Sequence, residues 1–353
     1  MPGNQARSRP YAEQRRAPVM ADVARLAGVS HQTVSRVLND HPNVRPGTKA
    51  RVLSAIRELD YRPNIAARTL VTKRTKTLGV VSFGTTLYGP ASMLYGIEQA
   101  AKQEGYFVIV AALTALDRTS VLGAVRRLRD QAVEGVIVIA SQATVVNALK
   151  TVPGDIPLVA VGCGANATLA SVAVDNEGGA AKATGYLLDL GHATVHHVGG
   201  PRSWLDAQDR ERGWERTLRT RGAEVPNLNI RGNWSAKSGY ELGRRIAEDP
   251  GITAVFCTND HMALGLLRAV AEAGRRVPEQ LSIVGFDDIP EAGYFSAPLT
   301  TVRQDFDHLG RSALRTLIGL IKEDPGPHDR PIPRVVIEPR LVPRSSAAAP
   351  PHD

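Results

Sequence analysis

The chain has 353 residues, of which 43% are hydrophobic and 22% are charged. This length suggests two or three domains of about 150 residues. The composition excludes a fully disordered protein, and the lack of a long uncharged apolar run argues against a membrane-spanning one. Two cysteines are too few for a disulfide scaffold. Because the first residues contain no apolar signal segment, we expect a cytoplasmic protein.

The net charge of +8 is concentrated near the start of the chain. Residues 1–78 hold 15 Lys and Arg against 5 Asp and Glu, whereas the remainder holds 28 against 30. A basic segment before a neutral one predicts a polyanion partner for the first and a separate task for the second. A basic face that only keeps the protein in solution is the alternative at this point.

Three short helical patterns occupy the basic segment. Apolar residues at i, i+3, i+4 and i+7 predict a helix over Met20–Ala27. Val19 offers this helix no hydroxyl cap, so we expect its first turn to fray. Ser30 has the hydroxyl to cap a second helix, His31 to about Leu38, and Pro46 suits the first position of a third. This order of helices is typical of a helix-turn-helix DNA-binding domain.

The second helix carries the candidate DNA-reading surface. Val34 and Val37 occupy its core positions, so its polar side chains point outward. In the major groove glutamine can pair with adenine and arginine with guanine, which makes Gln32 and Arg36 the candidates for base recognition. The full DNA-contacting set from this region is Ser30, His31, Gln32, Thr33, Ser35, Arg36 and Asn39. A packing module with an ordinary polar face would show the same spacing.

The segments VMADVARLAGVSHQTVSRVLND and NVRPGTKARVLSAIRELDYRPNIAARTL closely resemble the DNA-binding headpiece of the LacI family of bacterial transcription regulators. The resemblance adds Tyr61 to the DNA-binding set. It also implies a hinge helix from Asn64 that orders on the operator, with Ala67 at the contact with a second hinge helix. Leu70 would wedge apart a base step in the minor groove. A plain linker is the alternative for this stretch.

From residue 78 onward, short β-branched apolar runs alternate with helical stretches. Ten runs predict strands: LGVVSF, YFVIVAAL, EGVIVIA, PLVAVG, SVAVDN, VHHVGG, LNIRG, TAVFCTN, SIVGFDD and LTTVRQD. Continuous apolar strands between helices predict parallel sheets covered on both faces, and two such sets predict an α/β core of two subdomains with a cleft.

These patterns predict five segments along the chain. They are a disordered arm (1–18), the helix-turn-helix domain (19–63), a hinge helix and linker (64–77), the two-subdomain core (78–343) and a disordered tail (344–353). The tail contains no leucine heptad, so we expect a homodimer and no larger assembly built on a terminal helix.

Ligands of parallel α/β sheets bind beyond the carboxyl ends of the strands. This rule places residues 87–90, 141–142, 259–260 and 287–288 at the cleft. The boxes GNWSAKSGY, CTNDHMALG, SIVGFDD and LTTVRQDF resemble the periplasmic-binding-protein-like core of the LacI family, closest to its sugar-responsive members. The resemblance implies a ligand-binding set of Leu87, Gly89, Pro90, Arg210, Trp234, Asn259, Asp287, Gln304 and Phe306.

These side chains suit a carbohydrate, because Arg210 and Asp287 can each bond two hydroxyls and an aromatic ring covers the C–H face of a sugar. Structural alternatives remain open. Asn259 and Asp287 can cap strand-to-helix turns, Arg210 can be paired within its charge-rich segment, and Trp234 can be core packing. Galactoside-binding relatives offer an acidic residue in the loop where this chain has Ser141, which argues against a galactoside.

The sequence shows no GxSxG, Walker A, HExxH or CxxC motif, so we expect no enzymatic activity, metal or cofactor. His196, His197, Cys163 and Cys257 lie in strand patterns and favour structural roles. We therefore predict a homodimeric DNA-binding repressor that a small carbohydrate releases from a pseudo-palindromic operator, with half-sites about 10 bp or a multiple apart. A sugar-binding transport protein and a regulator with a corepressor are the alternatives.

Overall fold

A computed structural model describes residues 18–38, 41–62, 74–163, 169–227, 230–322 and 331–351. The contacts divide the chain into two compact units, Met1–Thr75 and Lys76–Asp353. The predicted N-terminal arm up to residue 17, together with Asn39, Asn64, Ala67 and Leu70, lies outside the described residues. Within the described ranges we find no helix with the length and apolarity that crossing a bilayer requires.

The first unit is a three-helix domain with α1 (Met20–Ala27), α2 (His31–Leu38) and α3 (Pro46–Glu58). All three helices lie where the apolar spacing predicts them. Their inner faces form one small core, in which Val23, Val34 and Val52 are fully buried. Burial of such a side chain contributes about 1.5–3 kcal/mol, so these few contacts hold the domain together.

Two local interactions begin the first two helices. The N–H of Thr33 donates to the hydroxyl of Ser30 at 3.1 Å, which confirms the predicted cap of α2. At the start of α1, the N–H of Val19 donates to the carboxylate of Asp22 at 3.0 Å. This bond is half of a capping box. It satisfies the backbone N–H of Val19 at a helix start that has no hydroxyl cap.

The second unit contains two α/β lobes. In lobe 1 the strands are β1 (Thr77–Phe83), β2 (Phe107–Leu113), β3 (Gly135–Ile139), β4 (Leu158–Val161), β5 (Ser171–Val174) and β11 (Arg334–Ile337), and the helices are α4 (Tyr88–Gln103), α5 (Arg118–Asp130), α6 (Ala143–Leu149) and α11 (Phe306–Lys322). The sheet order is β11-β5-β4-β3-β1-β2, and every neighbouring pair is parallel.

In lobe 2 the strands are β6 (His196–Gly199), β7 (Ile230–Arg231), β8 (Ala254–Cys257), β9 (Ser282–Asp287), β10 (Thr300–Arg303) and β12 (Arg340–Val342), and the helices are α7 (Asn176–Asp189), α8 (Leu205–Thr220), α9 (Ala236–Ala247), α10 (Asp260–Glu272) and a 3₁₀ turn (Pro290–Tyr294). The order is β12-β10-β9-β8-β6-β7, with β12 antiparallel to β10. All ten predicted strands are confirmed, whereas β11 and β12 were not predicted.

The described chain passes between the lobes at three places, after β5, after β10 and after β11. Short connections of this kind act as hinges about which two lobes can rotate. Within lobe 1, α4 and α11 cross closely because Gly96 faces Gly310. A Cβ atom added to either glycine would lie about 2.2–2.4 Å from backbone atoms of the other helix.

The prediction of a disordered tail is wrong for residues 344–351. Ser346 is fully buried, and its hydroxyl accepts from the N–H of Thr300 at 2.8 Å and donates to the carbonyl of Ile283 at 2.6 Å. Ala348 exchanges two 3.0 Å hydrogen bonds with the hydroxyl of Ser282. A segment without large apolar residues can therefore join a sheet through backbone and hydroxyl groups, which hydrophobic periodicity does not detect.

Candidate functional site

A cavity of about 280 Å³ lies between the two lobes, where strands of both sheets end. Its size is near the lower limit for small-ligand pockets, about 300–1,000 Å³. Lobe 1 lines it with Thr86, Leu87, Tyr88, Gly89, Pro90 and Met93. Lobe 2 and the connection after β10 line it with Trp204, Asp206, Arg210, Trp234, Ser235, Ala236, Asn259, His261, Asp287 and Gln304. A ligand held here touches both lobes.

Eight of the nine residues predicted to bind a ligand are in this lining, and Phe306 is not. Phe306 is buried in the core of lobe 1, where its ring meets that of Tyr88 edge-on with centroids 5.8 Å apart. It therefore supports the cavity wall from behind, because the first turn of α11 directs it into the core. Ligand contact by the other eight residues stays a prediction.

The buried guanidinium of Arg210, on α8, is held in place by several partners. Its Nε donates to Oδ1 of Asn176 at 2.8 Å, and its Nη1 donates to the carbonyl of Thr258 at 2.5 Å. Nη1 also lies 3.6 Å from Oδ1 of Asp287, and the guanidinium carbon lies 3.8 Å from the centre of the Phe286 ring. Arg210 is thus fixed at the cavity and not solvated on an outer helix face.

Two carboxyl groups flank this guanidinium. Oδ1 of Asp287 accepts from Nε2 of Gln304 at 2.6 Å, and Oδ1 of Asp206 accepts from Nδ2 of Asn176 at 3.1 Å. Burial raises the pKa of Asp206 to about 7, although Arg210 opposes this shift. Burial also raises the pKa of Asp287, again against the effect of Arg210. The raised values show that the cavity resists further negative charge.

The backbone is strained at two lining residues, Trp234 (φ +74°) and Asp287 (φ +115°). Such angles are costly for residues other than glycine and cluster at ligand sites. Asn259 holds the first of them, since its Nδ2 donates to the carbonyl of Trp234 at 3.1 Å. Its Oδ1 accepts from the N–H of Met262 at 3.0 Å, so Asn259 is also the cap of α10.

Trp204 and Asp206 line the cavity but were absent from the predicted site. The rings of Trp204 and Trp234 meet edge-on, with centroids 5.5 Å apart and planes at 72°. Both residues follow β6, whose carboxyl end faces the same cleft as β8 and β9. The strand-end rule applied to β6 would therefore have found them. The other lining residues that were not predicted are Thr86, Met93, Ser235, Ala236 and His261.

Ser141 and Gln142, predicted to line the cleft, join the lobes beside it. The N–H of Leu205 donates to the carbonyl of Ser141 at 2.8 Å, and Gln142 forms an antiparallel β-bridge with Trp204. Neither side chain is part of the cavity lining. The prediction that these two residues line the cleft was wrong, because the loop after β3 contacts the opposite lobe through its backbone.

Two further strand-end residues serve structure instead of the cavity. Asp260 is buried below it, and its Oδ1 accepts from the hydroxyl of Thr301 at 2.6 Å. Asp288 forms ion pairs with Arg303 at 2.5 Å and Arg344 at 2.6 Å. Consecutive residues at a strand end point in opposite directions, so only one of each pair can face the ligand.

On α2, the side chains of His31, Gln32 and Arg36 are exposed, as a DNA-reading surface requires. Those of Thr33 and Ser35 are half-buried, and Ser30 is exposed at the helix start. Tyr61 is buried in the core of the three-helix domain, so its ring supports the domain.

The histidines and cysteines singled out from the sequence lie within lobes 1 and 2. The ring of His197 stacks between Trp214 and Phe256, with centroid distances of 5.2 and 5.1 Å, and burial lowers its pKa to about 3. Cys163 and Cys257 are buried, as predicted, and burial raises the pKa of both thiols. Across the described ranges we find no cluster of three or more His, Cys, Asp or Glu that could hold a metal.

Comparison with known proteins decides the family. The family of bacterial regulatory proteins called lacI matches residues 19–64, and a periplasmic binding protein-like domain matches residues 184–347. The lactose operon repressor of Escherichia coli (strain K12) is 32% identical over 335 residues, which cover 93% of this chain and 92% of that protein. The chain belongs to the LacI family. The HTH-type transcriptional repressor PurR of Vibrio vulnificus (strain CMCP6) is also 32% identical, over 92% of this chain and 97% of that protein.

Solved structures of transcriptional regulators share the fold. The lac repressor dimer bound to operator and the anti-inducer ONPF is 30% identical with a TM-score of 0.83, covering 95% of this chain and 100% of that chain. The complex of the transcriptional regulator CelR with cellobiose is 30% identical with a TM-score of 0.68, covering 93% and 99%. The predicted fold class, a helix-turn-helix domain before a periplasmic-binding-protein-like core, is confirmed.

Proposed function

We propose that this LacI-family protein is a homodimeric transcriptional repressor that a small carbohydrate releases from its operator. The observation that carries the proposal is a fixed Arg210 beside Asp287 in a cavity with two tryptophan walls. Together the pair offers hydrogen-bond donors and acceptors to neighbouring hydroxyls. The indole rings of Trp204 and Trp234 offer apolar surface to the C–H groups of a sugar ring.

The angle between the tryptophans favours a sugar over a flat heterocycle acting as corepressor. A planar base stacks best between parallel rings, whereas Trp204 and Trp234 stand at 72° to each other. A pyranose ring is thicker and has C–H groups at its edge as well as on its faces. The CelR structure in complex with cellobiose shows that a relative of similar fold accommodates a saccharide.

The DNA-binding role rests on α2 and on the basic charge of the first 78 residues. Lys and Arg supply affinity through phosphates, while the exposed Gln32 and Arg36 supply discrimination between base pairs. Because the target is chromosomal DNA, we place the protein in the cytoplasm. The hinge residues Asn64, Ala67 and Leu70 are proposed to act in the minor groove, as the family resemblance implies.

A second copy of the chain is proposed to cover the edge of lobe 1. Strand β2 is the last strand of its sheet, and it exposes 70% of Phe107 and 44% of Val110. Tyr95 on α4 is also largely exposed nearby. An exposed apolar edge strand of this kind is typical of a surface that another chain covers. The lac repressor structure bound to operator is a dimer.

Release from the operator follows from the position of the cavity between hinged lobes. A ligand that contacts both Pro90 and Arg210 stabilises one angle between the lobes over others. In a dimer that pairs through lobe 1, this change alters the spacing of the two DNA-binding domains. The coupling is expected to be about 1–3 kcal/mol, which corresponds to a change of about 5–150-fold in operator affinity.

A thermal-shift screen against neutral mono- and disaccharides, followed by operator gel shifts with each hit, tests the proposal. The expected result is a sugar that raises the melting temperature and weakens the operator complex. A sugar that strengthens the complex would identify a corepressor. Stabilisation by heterocycles alone would contradict the carbohydrate assignment.

A further inference from the structure

We propose that Asp206 makes the cavity selective for uncharged sugars over their phosphorylated or acidic derivatives. The inference rests on the proposed function and names the chemical class of its effector more narrowly. Its basis is the balance of charged groups around the cavity and the position of a carboxyl group that the family resemblance did not assign to the site.

The charged groups of the lining do not favour an anion. Among the described lining residues, Arg210 is the single Arg or Lys, whereas Asp206 and Asp287 supply two carboxyl groups. His261 lines the cavity too, half-buried at the start of α10. A phosphate or carboxylate entering this space would have to share Arg210 with two acidic side chains.

Arg210 is already engaged by protein groups. Its Nε and Nη1 donate to Asn176 and to the carbonyl of Thr258, and its charge is balanced by Asp287. Burial of a ligand anion without a free cation incurs a desolvation penalty that no new ion pair offsets. A neutral hydroxyl incurs a far smaller penalty, and it can donate to a carboxylate oxygen.

Asp206 adds a hydrogen-bond acceptor to the cavity lining. In the described structure Oδ1 of Asp206 accepts from Nδ2 of Asn176, and the Ser141 hydroxyl lies close enough to lower the pKa of the carboxyl group against the effect of burial. Asn176 also accepts from Arg210, so one amide fixes the carboxyl and the guanidinium relative to each other. A ligand hydroxyl can therefore donate to Asp206 while a neighbouring hydroxyl meets Arg210 and Asp287.

The ionisation of Asp206 makes this selectivity dependent on pH. Burial brings the pKa of Asp206 to about 7, so the group is largely neutral below that pH and negative above it. The titratable and charged groups that face it are Arg210, Asp209, Asp287 and Cys163. Because repulsion between like charges appears only when Asp206 is ionised, discrimination against anionic sugars should increase as the pH rises through this range.

Tryptophan fluorescence of the full-length protein provides the test, because Trp204 and Trp234 line the cavity. Neutral mono- and disaccharides are titrated first. Each sugar that binds is then compared with its uronate and its 6-phosphate, at about pH 6 and about pH 8.5. The uronate is the cleaner probe, since its carboxylate stays ionised over the whole range. Asp206→Asn keeps the shape of the side chain. Glu215→Gln, on the same helix but outside the lining, is the control, because the carboxylate of Glu215 pairs with Arg219.

At the higher pH the wild-type protein should bind the neutral sugar at least about tenfold more tightly than its uronate. At the lower pH the ratio of the two affinities should be smaller. In Asp206→Asn the ratio of the two affinities should no longer change with pH, whereas Glu215→Gln should behave as wild type. Equal affinity for a sugar and its uronate, or a factor that is independent of pH in the wild type, overturns this inference alone. Failure of every neutral sugar to bind overturns the proposed function as well.

Discussion

Substitution of Ser346 by alanine tests whether the C-terminal segment is part of lobe 2. The change removes the hydroxyl that accepts from the N–H of Thr300 and donates to the carbonyl of Ile283. Both backbone groups lie in fully buried residues, so water cannot replace the lost partner. A buried group without a partner costs about 1–3 kcal/mol, which gives about 2–6 kcal/mol for the two. We therefore expect the melting temperature of the core to fall by about 5–10 °C.

Differential scanning calorimetry of the variant measures this loss. Ser345→Ala is the matched control, because Ser345 is the exposed neighbour and its hydroxyl has no hydrogen bond in the described structure. The control should melt within about 1 °C of wild type. Equal melting temperatures for the two variants would refute the assignment of this segment to the folded lobe.

Three further predictions concern function. In gel shifts, Arg36→Ala should lose about 1–3 kcal/mol of preference for the operator, while its binding to random DNA largely persists. The control is Arg51→Ala at an exposed position, which should affect binding to both DNAs alike. If Arg36→Ala weakens binding to random DNA equally, Arg36 is a phosphate contact. Asp287→Asn should bind operator normally but lose about 1.5–3 kcal/mol of sugar affinity by calorimetry, and an unchanged response would remove Asp287 from the site. Val110→Glu should produce monomers in sedimentation experiments. The control is Val336→Glu, which should remain dimeric because Val336 is exposed on the opposite edge strand of the same sheet. A dimeric Val110→Glu would place the interface elsewhere.

The extent to which sequence predicts this fold follows from the strength of each local signal. The helices of the DNA-binding domain and ten strands were recognisable because apolar residues recur at the helical period or form continuous runs. Strands β11 and β12 are short, each begins with an arginine, and each lies at a sheet edge. Their pairing depends on neighbours that are distant in sequence, so no local pattern marks them.

The residues that line the cavity were also predictable only where a local sequence signal marks them. Arg210, Asp287 and Asn259 lie where strand ends and family resemblance place them, and the structure brings them together. Phe306 and Ser141 fit the same rules but face a core and the opposite lobe. Which of two neighbouring residues faces a ligand depends on backbone angles and on packing between lobes, and spacing along the chain does not encode either.

The central claim is that sugar binding in the cavity and operator binding by α2 are coupled. The most direct test is to measure the affinity of an identified sugar for the free protein and for the operator complex, and the affinity of the operator with and without saturating sugar. Linkage requires both ratios to be equal, and we expect a weakening of about 5–150-fold in each. Identical operator affinity with and without a sugar that demonstrably binds the cavity would contradict the account.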